Sequence, residues 1–252
     1  MIKLNKLCSG YGSRQILFDI CAEVECGELI SVIGPNGCGK STLLKSIAGI
    51  LPLHSGEVEI DGTSLSTLKR GDVAKRVAYL AQGKSTPDMT VGQMVLHGRF
   101  AHLSYPRIYG DKDKMIANEA MERMGVIDVA DRPISSLSGG MRQNAYIAMA
   151  LAQDTDYILL DEPTTYLDIA HQIELMNTLR TLSDSGKGIL AVMHDIPLAL
   201  GYSDKVIVVD GGNIKATGTP DEIYSLGIIE QIFGVSLLKT PDGKGFYYSY
   251  EK

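Results

Sequence analysis

No run of about 18 apolar residues occurs anywhere in the chain, so no helix of the sequence is expected to cross a bilayer. Any link to a membrane is then expected to run through a partner. Cysteine is scarce. The four present, Cys8, Cys21, Cys26 and Cys38, make no Cys-x-x-Cys pair, and no histidine lies at zinc spacing from them. This argues against a zinc ribbon or a redox dithiol and predicts reduced, mostly buried thiols. An excess of positive charge is also missing. The formal net charge is -6, whereas a grip on nucleic acid through its phosphates asks for a basic surface. No nucleic-acid partner is expected. Internal repeats and low-complexity segments do not stand out. The first six residues alternate Ile2 and Leu4 with Lys3, Asn5 and Lys6, as a strand does and a signal peptide does not.

What is present suits a folded chain. The 252 residues are 44% apolar and 21% charged, ordinary values that allow a sizeable core. Apolar alternation at Ile16, Phe18, Ile20, Ala22 and Val24 predicts a strand with one buried face. Short apolar runs predict strands over 29–33, 58–60, 77–80, 157–160, 189–193 and 206–209. Helical signals fall at 41–50 and 170–182, and the middle reads as helices over 90–99, 111–124 and 140–153. Thr90 with Gln93 resembles a capping box, and Gly125 is a stop signal. Residues 83–153 are therefore read as a helical insert. After Thr219 a short helix and an irregular end are expected. Strands alternating with helices predict an α/β fold with a mostly parallel core sheet.

Gly34-Pro35-Asn36-Gly37-Cys38-Gly39-Lys40-Ser41 fits the phosphate-binding pattern Gly-x-x-x-x-Gly-Lys-Ser, with a strand before it and a helix after it. Glycines let successive N–H groups turn inward as a nest for anionic oxygens. The helix beyond adds its positive end. Lys40 can reach the β- and γ-phosphates, and the Ser41 hydroxyl can ligate Mg²⁺. The strand 157–160 then delivers Asp161 and Glu162 to its C-terminal end, where ligands bind in open α/β sheets. Asp161 is the candidate Mg²⁺ ligand, and Glu162 the group to polarise an attacking water.

Leu137-Ser138-Gly139-Gly140-Met141-Arg142-Gln143 resembles the Leu-Ser-Gly-Gly-x-x-Gln signature of ABC ATPases. Read from the residues alone, Ser138 caps a helix whose glycines leave backbone N–H groups open to an anion. The resemblance extends along nearly the whole chain. Gln82 resembles the Q-loop glutamine, which serves Mg²⁺ or water. Leu167-Asp168 resembles the D-loop. His194 resembles the switch histidine at the γ-phosphate, and Tyr11 the aromatic that stacks on adenine. The resemblance implies a P-loop NTPase core with an N-terminal antiparallel β subdomain and the helical insert. Residues 1–82 and 154–252 would form the core of a single ATPase domain, and 83–153 the helical subdomain. Catalysis would fall to Glu162, His194, Gln82 and Lys40, and metal binding to Ser41, Gln82 and Asp161. ATP would be held by Tyr11, the loop from Gly34 to Ser41 with Thr42, and Asp168. The resemblance also implies a head-to-tail dimer, in which Ser138, Gly139, Gly140 and Gln143 of one copy cover ATP on the other.

Finer features narrow the kind. Thr164-Thr165-Tyr166-Leu167-Asp168-Ile169-Ala170-His171-Gln172 is similar to importers of iron-siderophore, haem and cobalamin. His97-Gly98-Arg99 followed by His102 resembles their Gly-Arg-x-Pro-His, with Phe100-Ala101 in place of the usual pair. Gly83-Lys84-Ser85 after Gln82 departs from that pattern too. An ATPase of such an importer is expected at the cytoplasmic face of the membrane. It would contact permease subunits through residues 82–107, Arg99 included, and an extracytoplasmic binding protein indirectly. A soluble single-cassette ATPase and an exporter ATPase are the alternatives. His54, His97, His102 and His171 are expected to be solvated or packed.

Overall fold

Strands that are apolar on both faces belong in the middle of a parallel sheet covered by helices. Three segments here meet that description, and they organise the chain. The computed structural model describes all residues except 84, 85, 166, 244 and 250–252. In chain order the elements are β1 (Ile2–Tyr11), β2 (Arg14–Val24), β3 (Leu29–Ile33), α1 (Lys40–Ile47), β4 (Leu53–Ile60), β5 (Thr63–Ser64) and α2 (Arg70–Ala74). Next come β6 (Val77–Leu80), α3 (Val91–His97), α4 (Asp111–Arg123), α5 (Gly139–Ala152), β7 (Tyr157–Asp161) and α6 (Ile169–Asp184). The last part holds β8 (Gly188–Val192), α7 (Ile196–Tyr202), β9 (Lys205–Asp210), β10 (Asn213–Gly218), α8 (Pro220–Ser225), α9 (Ile228–Phe233), β11 (Ser236–Lys239) and β12 (Phe246–Ser249).

Among the described residues, one sheet runs β10-β9-β3-β8-β7-β6. Its pairs are parallel except β10 on β9. Strands β3, β7 and β8 are buried at every position. A second sheet, β2-β1-β4-β5, is antiparallel and carries the N-terminal half of the fold. It packs with α1 and one face of the parallel sheet around Leu17, Ile20, Leu43 and Leu44. The opposite face meets α6 and the helices of the insert, whose contacts include Val91, Met94, Met121 and Ala148.

The alternation read over 16–24 breaks in its middle. Asp19 has φ +49, and the register against β1 slips beside it. Leu17 and Ile20 therefore both face the core, and Phe18 is left 42% exposed. Cys21, next to the inward Ile20, is on the surface. Cys21 and Cys26 are exposed while Cys8 and Cys38 are buried, so the thiols are not mostly buried; all four are free. The tail is more regular than expected. After α8 and α9 it forms an antiparallel hairpin, β11 with β12.

The insert is held by an internal charge. Arg99 is 4% exposed, which corrects its assignment to the contact surface. Its Nε donates to Asp113 Oδ1 at 3.1 Å and its Nη1 to Ala152 O at 3.0 Å. His102 Nε2 donates to Gln153 O at 2.8 Å. Two side chains of cationic type thus satisfy carbonyls at the end of α5, where helix carbonyls lack partners. Gln153 in turn donates to Ala74 O and Val77 O, joining the insert to the start of β6. Gly98 is required because any Cβ there would lie 2.2 Å from Met149 O. Replacing Arg99 by Ala leaves Asp113 Oδ1 and the Ala152 carbonyl without their partner, and should lower stability by about 3 kcal/mol in urea unfolding. Unchanged stability would contradict the staple.

Candidate active site

Four parallel strands end on one edge of the sheet, and each end carries a residue singled out by the sequence. The loop 34–41 follows β3, Gln82 follows β6, Asp161 and Glu162 close β7, and His194 follows β8. Residues distant in the chain meet there because parallel strands bring their C-terminal ends together.

The loop is shaped by close approaches. A Cβ at Gly34 would lie 2.0 Å from Val209 O and 2.7 Å from Cys38 Sγ. Gly37 and Gly39 have φ of +78 and +108, which L side chains resist. Gly39 also caps α1, and no side chain accepts from that helix's first turn. The contrast is informative. Thr90, Ser138, Asp168, Asp195 and Thr219 all cap their helices with side-chain oxygens. The N-terminus of α1 keeps its backbone donors available to an outside anion. Lys40 is 5% exposed, and its Nζ donates to Gly34 O at 2.7 Å and Pro35 O at 2.9 Å. Pro35 O also accepts from Cys38 N. Asn36 is exposed at the loop's tip, and Thr42 is buried in α1. Burial pushes the Cys38 thiol up, against the pull of Lys40, so it stays protonated at neutral pH.

Ser41 Oγ donates to Asp161 Oδ1 at 2.9 Å, and Tyr79 Oη to Asp161 Oδ2 at 3.1 Å. Burial pushes the Asp161 carboxyl above the usual carboxylate range, the bonds from Ser41 and Tyr79 oppose this, and the charge of Glu162 adds to it. Glu162 has φ +56, a left-handed backbone uncommon for a residue with a side chain. Its carboxylate is the meeting point of the site. Oε1 pairs with His194 Nε2 at 2.5 Å. Oε2 accepts from Gln82 Nε2 and from Thr165 Oγ1, the latter at 3.2 Å.

Gln82, Asp161, Glu162 and Thr165 line a cleft of about 260 Å³ together with Gly139, Arg142, Gln143 and Tyr146. Ser138 Oγ accepts from Met141 N at 3.3 Å and caps α5 as expected. Gly140 lacks a Cβ where one would sit 2.9 Å from the His171 ring. His171 Nδ1 donates to Asp168 Oδ1 at 2.8 Å, and Asp168 caps α6. Tyr11 lies away from this cluster, beside α1. It is 48% exposed and its Oη accepts from Lys45 Nζ at 3.3 Å. Lys84, Ser85 and Tyr166, noted in the sequence, lie outside the described residues.

Two members were missed. Tyr79 lies two residues before Ala81 on a strand read only for its hydrophobicity. Thr165 belongs to the segment that resembles the importers, and the resemblance assigns it no role. The position of Tyr79 depends on the β6–β7 register, and that of Thr165 on the turn after β7, neither of which a spacing rule supplies.

Thiol chemistry tests the loop's packing. At pH 7.5 a small alkylating agent should label Cys21 and Cys26, and Cys8 and Cys38 only on unfolding. Native labelling of Cys38 at the rate of Cys21 would contradict the packing described.

The chain can be set beside known proteins on this footing. A family model described as ABC transporter matches residues 17–165. The iron(3+)-hydroxamate import ATP-binding protein FhuC of Bacillus subtilis (strain 168) is 41% identical over 236 residues, covering 93% of this chain and 88% of FhuC. The ferric enterobactin transport ATP-binding protein FepC of Escherichia coli (strain K12) is 39% identical over 239 residues, with coverage of 94% and 88%. Among solved structures, the dimeric post-hydrolysis ATP-binding cassette MJ0796 bound to ADP and Pi superposes with a TM-score of 0.75 at 27% identity, covering 87% of this chain and 99% of that one. A family match over more than half the chain, and relatives alike along almost all of it, show that this protein belongs to the ABC transporter family, as one of its ATP-binding, ATP-hydrolysing cassettes.

Proposed function

We propose that the chain drives import of an iron(III) chelate, hydrolysing Mg-ATP as one of two copies that close head to tail on the nucleotide. The observation that carries this reading is the convergence of the loop 34–41, Gln82, Asp161, Glu162 and His194 at four strand ends. The domain reading follows it: a core from 1–82 and 154–252, with 83–153 as a helical subdomain carrying Ser138, within one ATPase domain over 1–252.

The donors fit Mg²⁺. Ser41 Oγ and Asp161 Oδ1, 2.9 Å apart, are hard oxygens, and Gln82 adds an amide oxygen nearby. A bound Mg²⁺ would neutralise phosphate charge and offset the cost of the buried Asp161 carboxylate. The amides of Gly37 to Ser41 hold the β-phosphate, and Lys40 exchanges its bonds to Gly34 O and Pro35 O for phosphate oxygens. Tyr11 stacks on the adenine. Glu162 takes a proton from the attacking water, and His194 and Gln82 orient that water and the γ-phosphate. One helix terminus offers roughly half a unit of positive charge. That is little against a triphosphate, so the second copy's Ser138, Gly139, Gly140 and Gln143 complete the site, with Asp168 beside them. Binding energy then closes the pair, and hydrolysis reopens it.

The membrane side of the reading rests on the insert. Among the described residues no helix is long and apolar enough to cross a membrane. Pro87, Met89, Met94, Tyr146 and Met149 line an open groove of about 500 Å³ beside Gln82. Tyr105, in the same insert, is 97% exposed. This surface suits permease subunits, which would hold the cassette at the cytoplasmic face of the membrane and link it indirectly to a binding protein outside. The iron(III)-chelate class is inferred from what FhuC and FepC serve. No nucleic acid takes part.

Two variants test the sandwich. Lys40→Ala should lose nucleotide binding or turnover. Ser138→Glu sets a carboxylate against the partner's triphosphate. It should keep nucleotide binding by the single copy, abolish ATP-driven dimerisation in light scattering, and slow turnover by roughly a hundredfold or more. Dimerisation and turnover at wild-type levels would overturn the proposal.

A further inference from the structure

The first turn of α7 starts two residues after His194, and its donors can be accounted for one by one. Asp195 is the cap, and its Oδ1 accepts from Leu198 N at 2.8 Å. Pro197 has no N–H. The remaining amide is that of Ile196, a residue only 3% exposed. A buried N–H without an acceptor is costly. The acceptor comes from the far end of the chain: Ile196 N donates to Tyr248 Oη at 3.2 Å.

Tyr248 is on β12 of the C-terminal hairpin, opposite Leu237 in register. The hairpin is anchored independently of α7. Leu237 is 3% exposed, and its N donates to Glu230 Oε1 at 3.1 Å. Lys239 Nζ pairs with Asp221 Oδ1 at 2.6 Å and lies over the rings of Tyr224 and Phe246. The hairpin is therefore a fixed support that meets the chain where it leaves the active site.

We infer that the C-terminal hairpin is a positioning element for the catalytic site, with Tyr248 as the positioning residue that sets the start of α7 and hence the reach of His194 to Glu162. The inference rests on the role given to His194 above. Tyr248 acts through the backbone of Ile196.

The test uses the full chain with Tyr248→Phe, which keeps the ring and removes the hydroxyl. Steady-state ATPase should show kcat lowered roughly three- to tenfold with KM for ATP unchanged. Amide exchange should speed up at Ile196. In a His194→Ala background the same substitution should cost no further rate, because the two act through one contact. A purely structural tyrosine would lower the unfolding temperature, leave kcat alone, or slow both backgrounds equally. Any of these last two kinetic results, with His194→Ala itself slow, overturns the inference alone. Wild-type turnover by His194→Ala would instead remove His194 from the site, and the functional reading of that residue with it.

Discussion

The Glu162 carboxylate is the contact on which the site depends. It gathers His194 from the end of β8, Gln82 from the end of β6 and Thr165 from the turn beyond β7. Each comes from a different connection, so the carboxylate reports the relative placement of several strand ends at once. The left-handed backbone at Glu162 belongs to the same arrangement. A strained conformation persists where surrounding contacts over-determine it, and three partners on one side chain do that. Asp161, one residue earlier, lines the same cleft and accepts from Ser41 of the phosphate loop. The two acids take different partners because the strand ends at Asp161 and the left-handed backbone at Glu162 re-aims the next side chain.

Helix ends divide the molecule into parts that are finished and parts that await an anion. Most helix starts carry their own cap. The exception that matters is α1, whose glycine cap leaves its amides to a phosphate. At the other kind of end, Arg99 and His102 close the carbonyls of α5. That closure ties the insert to β6 through Gln153, so a push on the insert is delivered at the strand that ends near Gln82.

Much of this was legible in the sequence. The apolar runs at 29–33 and 77–80 coincide with β3 and β6, and the helix starts at Thr90 and Ser138 carry the caps expected of them. Strong local signals survive because local and tertiary preferences agree. What was not legible depends on long-range geometry. The Gly98-Arg99 pair looked like a docking surface because its resemblance said nothing of burial; only the approach of Met149 O and Asp113 reveals a staple. The slip at Asp19 turned Phe18 outward despite a clean alternation. Helix α7 is short and carries a proline near its start, so periodicity could not announce it. The final hairpin did have a turn signal in Pro241-Asp242-Gly243, and Gly243 has φ +70. Its flanking strands are four residues each, too short for alternation to register.

In the proposed mechanism the charge of Glu162, and not merely its shape, performs the hydrolytic step. Glu162→Gln keeps the size and one acceptor oxygen while removing the base. Rapid-quench measurement of a single turnover, with Mg-ATP binding measured beside it, tests this directly. The account requires binding near the wild-type value and a rate of cleavage lower by roughly a hundredfold or more. Cleavage at the wild-type rate would contradict it.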